Sequence, residues 1–266
     1  MTDYGFGELA AAVLARRLRD GELGIVTTTS PVAVAACGLA QRRGRWVSWL
    51  GLPLATLDAR SEHLRASADE RLIPTATAAL DLAAILDAIA WRPHFFDFGF
   101  LDALQVDRYG NVNTVAIGDH ARPAHRGPGM LAASAVGALA RRFMVLLDRH
   151  DPTTLVERVD FRSAVGHHEG GQSREALGLP PGGPELVVTP LGCFDFEPTS
   201  KAMRVASLHP GVTLGTVQSA TGFELMVEGT PPDTAPPTDE ELRVLRLSVD
   251  ADGLLRRLPG GGLPPQ

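Results

Sequence analysis

The sequence predicts an α/β fold with a layered, open and mainly parallel sheet that carries an antiparallel insertion. Apolar stripes at helical spacing alternate with short apolar runs along most of the chain, which is typical of α/β domains. Several runs, such as ELVV, are uninterrupted by polar residues, as in strands covered on both faces. The segment 95–117 places two apolar runs around a turn, which indicates an antiparallel hairpin.

The N-terminal region predicts a helix, a strand, a loop and a second helix. Apolar residues recur at helical spacing from Ala11 to Leu18, so the first helix is expected to end near Gly21. The stretch GIVTTTSP then predicts a strand that runs into a hydroxyl-rich loop. Ser30 and Pro31 suit the cap and the first position of a helix through VAVAACGLAQRRG.

The most apolar long segment extends from Thr75 to Trp91. It spans only about 17 residues and contains Asp81 and Asp87, which argues against a membrane span. Apolar residues recur on one helical face and both aspartates lie off that face, which predicts a helix packed on the core. The residues of this apolar stripe are Leu82, Ile85, Leu86 and Ile89.

The second half of the chain predicts further strands at RFMVLLDRHDPTTLVERVD and ELVVTPLGCFDF, and a helix returning to a strand in GVTLGTVQSATGFELMV. A Pro-rich connector follows. Thr238 and Glu241 have capping-box spacing and predict the start of a C-terminal helix. We therefore expect an α/β domain over residues 1–232, and a connector, a helix and a flexible tail over residues 233–266.

Composition excludes several classes of protein. A net charge of −6 and scattered basic residues provide no basic face for a phosphate backbone, so no nucleic-acid partner is expected. Cys37 and Cys193 are too few for a disulfide framework, which predicts a reducing, cytoplasmic setting. The N-terminus lacks the pattern of a secretory signal, and no association with a membrane is expected.

Polar residues are concentrated in the stretch LQVDRYGNVN. Gln105, Asp107, Asn111 and Asn113 lie within one turn between apolar runs. Taken alone, this pattern is most typical of a simple hairpin, because Gly110 and Asn111 accept the backbone angles of tight turns.

The loop HRGPGML precedes a small-residue helix, AASAVGALA. Amides at such a position can hold an anion or an oxyanion, and Gly127 and Gly129 would let a ligand approach the backbone. An ordinary turn is the alternative interpretation. The stretch GHHEGG clusters imidazoles and a carboxylate, but it lacks spaced partner ligands, so we assign no metal and expect a solvated loop.

Four ordered motifs resemble the β subunit of class I coenzyme A (CoA) transferases. LQVDRYGNVN is similar to that family's Gln-x-Asp-x-x-Gly-Asn-x-Asn hairpin, and it is followed by RGPGM, LVVTPLGCFDF and SLHPGVTLGTVQSATGFEL. The resemblance covers roughly residues 96 to 228. It implies the CoA-transferase sheet fold, an α-subunit partner and an acyl-CoA substrate, with CoA as part of the substrate and no other cofactor.

The same resemblance implies a cleft shared between the two subunits, which Gln105 and Asn111 help to shape. The residues implied to bind the substrate or CoA are Gln105, Asp107, Asn111, Asn113, Gly127 and Gly129.

The nucleophilic glutamate of the family has no counterpart in this chain. Residues 49–52, where the resemblance implies it, hold no acid, and Glu62 and Glu70 lack the flanking motif and are expected on the surface. The glycine-rich loop also departs from the family at Met130 and Ala133. In these departures the chain resembles the ring-opening hydrolases of steroid degradation within this family. In those enzymes an acidic residue of the α subunit is the implied base.

Three functions remain open from the sequence. The first is a β subunit of a ring-opening hydrolase of a cyclic keto-acyl-CoA, with the catalytic acid on the α subunit and no catalytic residue on this chain. The second is a true CoA-transferase β subunit that uses Glu62 or another displaced carboxylate. The third is a non-catalytic CoA-binding or scaffolding subunit. The acyl substrate and the stoichiometry are not determined.

Overall fold

The structure, a computed structural model, describes residues 4–27, 30–61, 63–81, 83–85, 87 and 92–258. The chain forms two compact units. Among the described residues, the first contains 4–100 and 235–258 and is called the N-terminal unit. The second contains 101–234 and is called the central unit.

Helices and strands alternate along the chain, as the sequence predicts. The helices are α1 (Phe6–Arg17), α2 (Pro31–Arg42), α3 (Ala133–Leu139), α4 (Ser173–Ala176), α5 (Leu214–Ser219), α6 (Asp239–Val244) and α7 (Leu254–Arg257). A 3-10 turn covers Glu70–Thr75 and a π-helical turn covers Leu245–Val249. The strands are β1 (Leu23–Val26), β2 (Ser48–Gly51), β3 (Thr56–Leu57), β4 (Ala78–Ala79), β5 (Phe98–Asp102), β6 (Gln105–Asp107), β7 (Val112–Asn113), β8 (Ala116–Ile117), β9 (His125–Arg126), β10 (Phe143–Leu146), β11 (Leu155–Val156), β12 (Pro184–Val188), β13 (Gly192–Phe196) and β14 (Met203–Leu208).

The sheet of the N-terminal unit has the strand order β5-β1-β2-β3-β4. Strand β1 pairs in parallel with β2 and β5, whereas β2, β3 and β4 pair antiparallel. Helices α1 and α2 pack on each other through small and branched apolar residues that are almost fully buried. The predicted strand after the first helix and the helix that follows it are therefore confirmed.

A cap fixes the start of α2, and a turn at Gly21 directs the chain from α1 into β1. The Ser30 hydroxyl accepts the amide of Val32 at 3.3 Å, and Pro31 occupies the first turn, as predicted. Helix α1 ends at Arg17 and not near Gly21. Gly21 has a positive φ of 80°, and its amide donates to the carbonyl of Trp46 at 2.7 Å, which directs the chain into β1.

The helix predicted from Thr75 is wrong at its start. Thr75 ends a 3-10 turn, and β4 follows at Ala78–Ala79, paired antiparallel with β3. Pairing with a neighbouring strand overrides the local helical pattern here. Of the predicted apolar stripe, Ile85 is buried, while Leu82, Leu86 and Ile89 lie outside the described residues.

The C-terminal segment belongs to the N-terminal unit. The predicted capping box is confirmed, because Thr238 accepts the amide of Glu241 at 3.2 Å and the Glu241 carboxylate accepts the amide of Thr238 at 2.8 Å. The same buried carboxylate pairs with Arg16 at 2.6 Å and with Arg43 at 3.0 Å. These contacts bind residues 235–258 to α1 and α2, so the observed division differs from the predicted boundary after residue 232.

The main sheet of the central unit has the strand order β14-β13-β12-β10. Strands β10 and β12 are parallel, and β12, β13 and β14 form an antiparallel meander. The predicted strand after α5 is wrong, since that segment contributes one isolated bridge between Arg204 and Met226. The fold class is α/β as predicted, but the pairing is mixed, with parallel strands joined to antiparallel ones in each unit.

The predicted antiparallel insertion is present. Strands β6 and β7 form a hairpin in which Gln105 lies opposite Asn113, and β11 adds to β6 in parallel. Strands β8 and β9 form a second, two-stranded pair. Among the described residues, no helix is long and apolar enough to cross a membrane.

The ion pairs of Glu241 yield a prediction about stability. Replacing Glu241 with Ala leaves Arg16 and Arg43 without their buried partner and removes the capping box, so we expect the free energy of unfolding to fall by about 3 kcal/mol. Glu240→Ala is the matched control, because Glu240 forms only an exposed pair with Arg243, and its effect should stay within about 0.5 kcal/mol. Urea unfolding of both variants measures the difference. Equal losses would contradict the role of the buried pair.

Candidate functional site

The polar residues of the β6–β7 hairpin form a buried network. Gln105, Asp107, Asn111 and Asn113 are each at most 4% exposed, so their polar atoms must find partners within the protein. Gly110 turns the chain with a φ of 68°, and a Cβ at this position would lie 2.5 Å from Pro184. The turn therefore requires glycine for both its backbone angle and its close packing.

Asp107 and Asn111 bind one another and a neighbouring loop. The Asp107 carboxylate accepts the Asn111 side-chain amide at 2.8 Å and the backbone amides of Tyr109 and Asn111 at 3.0 Å. Asn111 also donates to the carbonyl of His168 at 2.7 Å and accepts the amide of Gly166 at 2.9 Å. Burial raises the pKa of Asp107 to about 6, against the opposite influence of these hydrogen bonds.

Asn113 and Gln105 form the second half of the network. Asn113 donates to the Gln105 side-chain oxygen at 2.8 Å and to the carbonyl of Ala116 at 2.7 Å. Gln105 donates to the Asp160 carboxylate at 3.1 Å and accepts the Asp160 amide at 3.0 Å. The sequence reasoning missed Asp160, because nothing in the order of the residues shows that it meets Gln105.

Thr114 joins this hairpin to the glycine-rich loop. Its hydroxyl donates to the carbonyl of Gly129 at 2.7 Å, and its amide donates to the Ser163 hydroxyl at 2.9 Å. A Cβ on Gly127 would lie 2.3 Å from the Thr114 carbonyl oxygen, so only glycine fits there. The structure thus brings all six predicted site residues together in one region of the central unit.

The backbone amides of Gly127 and Gly129 form bonds within the chain, whereas the sequence suggested that they could hold an anion. The amide of Gly127 donates to the carbonyl of Val115 at 2.8 Å, and that of Gly129 donates to the carbonyl of Thr114 at 3.2 Å. Gly129 has a φ of 103° and open space where a Cβ would be, and Met130 and Leu131 beside it are exposed. Contact of these residues with a ligand stays a prediction. The observed role of the polar residues is to fix the backbone that borders the loop.

The GHHEGG loop differs from the solvated loop that we expected. His167 is buried, and its ring packs edge-on against Phe196 with centroids 5.0 Å apart. Burial lowers the pKa of His167 to about 4. Glu169 pairs with Arg162 at 2.7 Å. Among the described residues, no group of His, Cys, Asp and Glu side chains is arranged to hold a metal ion.

A second polar cluster follows three strands of the main sheet. Thr189 comes directly after β12 and His209 directly after β14, and His150 lies in the loop after β10. The His150 ring nitrogens lie 2.8 Å from the Thr189 hydroxyl and 3.0 Å from the Thr221 hydroxyl. His209 contacts the carbonyl of Thr189 at 2.8 Å. Ligands of open parallel sheets commonly bind beyond the carboxyl ends of the strands, but nothing in the sequence pattern singled out these histidines.

The histidines of this cluster are held neutral. Burial lowers the pKa of His150 to about 4 and that of His209 to about 4. His209 is fully buried, and its second ring nitrogen lies 2.9 Å from the Thr234 hydroxyl. This cluster therefore holds the strand-end loops together through hydrogen bonds of uncharged imidazoles.

In the N-terminal unit, the segment that follows β2 contains no carboxylate. The chain has no Asp or Glu between Glu22 and Asp58. The Asp58 carboxylate accepts the amide of Trp49 at 2.9 Å and the side chain of Gln41 at 3.1 Å, so it supports β2. Glu70 is exposed, as predicted, and Glu62 lies outside the described residues.

Comparison with known proteins identifies the family. Residues 94–220 match the sequence profile described as coenzyme A transferase. The chain is 32% identical over 255 residues to a subunit of the 3-oxoadipate CoA-transferase of Pseudomonas knackmussii, which covers 92% of this chain and 94% of that protein. The chain belongs to the coenzyme A transferase family. The predicted resemblance is confirmed.

Some other relatives in the family are named as hydrolases and not as transferases. The chain is 34% identical over 173 residues to the cholesterol ring-cleaving hydrolase IpdB subunit of Mycobacterium bovis, or 65% of this chain and 67% of that protein. The solved glutaconate CoA-transferase of Acidaminococcus fermentans matches 97% of this chain and 99% of that chain at a TM-score of 0.85 and 22% identity. This likeness confirms the fold. Both named sequence relatives are described as subunits.

The neutral histidines predict loss of stability in acid. His209 has a pKa of about 4 in the folded state and about 6.5 when unfolded, so its contribution is present above pH 6.5 and is lost as pH falls towards 4. Between pH 7.5 and pH 5 the wild-type protein should lose about 2 kcal/mol more than His209→Gln. Urea unfolding at both values measures this. Comparison with the variant is needed because protonation of Asp107 acts in the opposite direction.

The exposed His125 offers the control for this measurement. His125→Gln should lose the same stability as wild type between the two pH values. A parallel loss in His209→Gln and wild type would contradict the assignment of the acid sensitivity to the strand-end cluster.

The hairpin network predicts a structural effect of Asn111. Asn111→Ala removes bonds to Asp107, Gly166 and His168 and leaves the buried carboxylate without its side-chain partner, so the free energy of unfolding should fall by about 3 kcal/mol. Thr199→Ala, in an exposed turn, is the control and should change it by less than about 0.5 kcal/mol. A stability of Asn111→Ala equal to that of wild type would exclude the structural role.

Proposed function

We propose that the chain is the β subunit of a heteromeric enzyme that opens a ring of a cyclic keto-acyl-CoA by hydrolysis, with the catalytic acid on the α subunit. The observation that carries this proposal is the absence of any acid between Glu22 and Asp58. This segment includes the end of β2 at Gly51. A transferase of this family needs a carboxylate to form the acyl-enzyme intermediate. Hydrolysis needs instead a base that activates water, and a partner chain can supply that base.

The surroundings of Gly51 support the same choice. Gly51 is the last residue of β2, and a Cβ built on it would lie 3.0 Å from the Thr56 hydroxyl and 3.0 Å from the Trp49 ring. Thr56 is fully buried, and Trp49 is 1% exposed, so both side chains are packed closely around this strand end. The strand end thus has no carboxylate, and a side chain at residue 51 would be crowded.

The chain's own residues then have a positioning role. In carbon–carbon hydrolysis next to a ketone, donors must stabilise the enolate or alkoxide while the base acts on water. The hairpin is fixed by the side chains of Gln105, Asp107, Asn111 and Asn113. Thr114 connects it to the loop of Gly127 and Gly129 through its hydrogen bond to the Gly129 carbonyl. No cofactor other than the CoA portion of the substrate is part of the proposal.

A transferase is the second candidate. It is favoured by the relative that aligns with 92% of the chain, which is named as part of a CoA-transferase, whereas the hydrolase relative aligns with 65%. This activity requires a carboxylate from elsewhere, such as Glu62 or a residue of the partner. A non-catalytic CoA-binding or scaffolding subunit is the third candidate, and failure of the assembled complex to bind CoA in calorimetric titration would favour a scaffold.

Co-expression with an α subunit tests the proposal. The complex should hydrolyse a cyclic keto-acyl-CoA, and the purified single chain should have no activity because it lacks the base. Hydroxylamine added during turnover should trap no glutamyl adduct on this chain. Detection of such an adduct by mass spectrometry, or turnover by the single chain, would reject the hydrolase proposal, and an adduct would favour the transferase.

Substitution at Gly51 tests whether the site can accept an acid. We expect Gly51→Glu to lower the free energy of unfolding by more than about 2 kcal/mol, because a carboxylate would be forced against Thr56 and Trp49 without a partner. Gly51→Ala, the matched control, should cost about 1 kcal/mol. A stable Gly51→Glu complex that yields a trapped adduct would show that the position is open after all.

A further inference from the structure

A small pocket lies entirely within the N-terminal unit, between α2, the segment after β3 and the π-helical turn. Its volume is about 110 Å³. One wall is a face of α2 that contains Val34, Gly38 and Arg42, and the opposite wall is the loop of residues 59–61 and 63–65. The π-helical turn closes the pocket with Ser248 and Val249.

The floor of the pocket is apolar. Trp49 and Leu72 are each 1% exposed, and Leu64 is 9% exposed, so these side chains form a fixed apolar floor. Gly38 allows α2 to approach the π-helical turn, since a Cβ there would lie 3.3 Å from Val249. Glycine in a helix interior and a π-helical turn each carry an energetic cost, and π-helical turns are often found at functional sites.

The rim of the pocket carries two arginines that have no carboxylate partner in the part of the chain that the structure describes. Arg42 donates to the carbonyl of Ser248 at 2.9 Å, and no carboxylate partner for it occurs among the residues that the structure describes. Within the same residues the Arg60 guanidinium has no hydrogen-bond or ion-pair partner. Arg65 is different, because it pairs with Asp69 at 3.3 Å.

The remaining polar group of the rim is also paired. His63 lies 2.6 Å from the Asp252 carboxylate, and both side chains are about half exposed. Among the described acids near the pocket, Asp69 and Asp252 are thus directed to Arg65 and His63, and Asp58 is bonded to Gln41 and to the amide of Trp49. Of the described basic side chains at the rim, Arg42 and Arg60 have no carboxylate partner.

We propose that this pocket binds a small aliphatic carboxylate. Guanidinium groups bind carboxylates through paired hydrogen bonds, and the apolar floor matches a short hydrocarbon chain. The volume is well below the roughly 300 Å³ at which pockets for drug-sized ligands begin, so it excludes a nucleotide or a whole CoA. A carboxylate of about two to five carbons fits both the size and the chemistry.

Fluorescence of Trp49 reports on the pocket directly. The full chain with Trp46→Phe and Trp91→Phe keeps Trp49 as its single tryptophan. Titration with butyrate or succinate at constant ionic strength should give a saturable change with a dissociation constant in roughly the millimolar range. Butan-1-ol tests the need for the charge, and inorganic phosphate tests the need for the apolar part. Both should bind at least about tenfold more weakly.

Substitution of the two arginines tests the rim. In the same background, Arg42→Gln with Arg60→Gln should weaken butyrate binding by about tenfold or more, whereas Arg149→Gln, an exposed arginine of the central unit, should leave it unchanged. Circular dichroism and the urea midpoint confirm that each variant is folded. If the double variant is unfolded, the single variants Arg42→Lys and Arg60→Lys replace it, and each should weaken binding by several fold.

Three outcomes of the ligand titrations would overturn the proposal. They are no saturable change with either carboxylate, equal binding of butan-1-ol, and equal binding of phosphate. Retention of butyrate affinity in the folded arginine variants would do the same. None of these readouts depends on catalysis, so their failure is distinguishable from failure of the proposed hydrolase function.

Discussion

Burial of the hairpin's polar side chains is the constraint on which the central unit depends. A carboxylate and three amides lie in the interior, and each unpaired polar group there would cost about 1 to 3 kcal/mol. Asp107 and Asn111 satisfy one another and hold residues 166 and 168, while Asn113 and Gln105 hold Asp160. The position of the glycine-rich loop follows from this arrangement through Thr114.

The buried carboxylates of both units have structural partners. Glu8 pairs with Arg246 at 2.8 Å, Glu241 pairs with Arg16 and Arg43, and Asp250 accepts two backbone amides of α7. Asp107 has the same kind of role in the hairpin. Among the residues that the structure describes, the buried acids of this chain thus stabilise its fold. This structural use of the acids agrees with the proposal that the catalytic acid lies on a partner chain.

Local signals in the sequence were sufficient for part of this result. The caps at Ser30 and Thr238 depend on neighbouring residues, so they were predictable, and so was the clustering of polar residues in the hairpin. The antiparallel pairing of β3 with β2 and of β13 with β12 was not predictable, because contacts between separate segments of the chain decide it. The same reason hides the contact of His150 with Thr189 and Thr221, which lie 39 and 71 residues away. A resemblance to a family, and not the local pattern, gave the hairpin its functional interpretation.

Close packing around Gly51 has a consequence for how the chain can change by mutation. Because Thr56 and Trp49 crowd the space that a side chain on Gly51 would need, replacing this one residue with an acid is expected to strain the strand end. A smaller residue at one of the two flanking positions would have to appear first, with no catalytic benefit of its own. Gain of an acid at residue 51 would therefore require two linked substitutions, so single mutations are expected to preserve a glycine at this position.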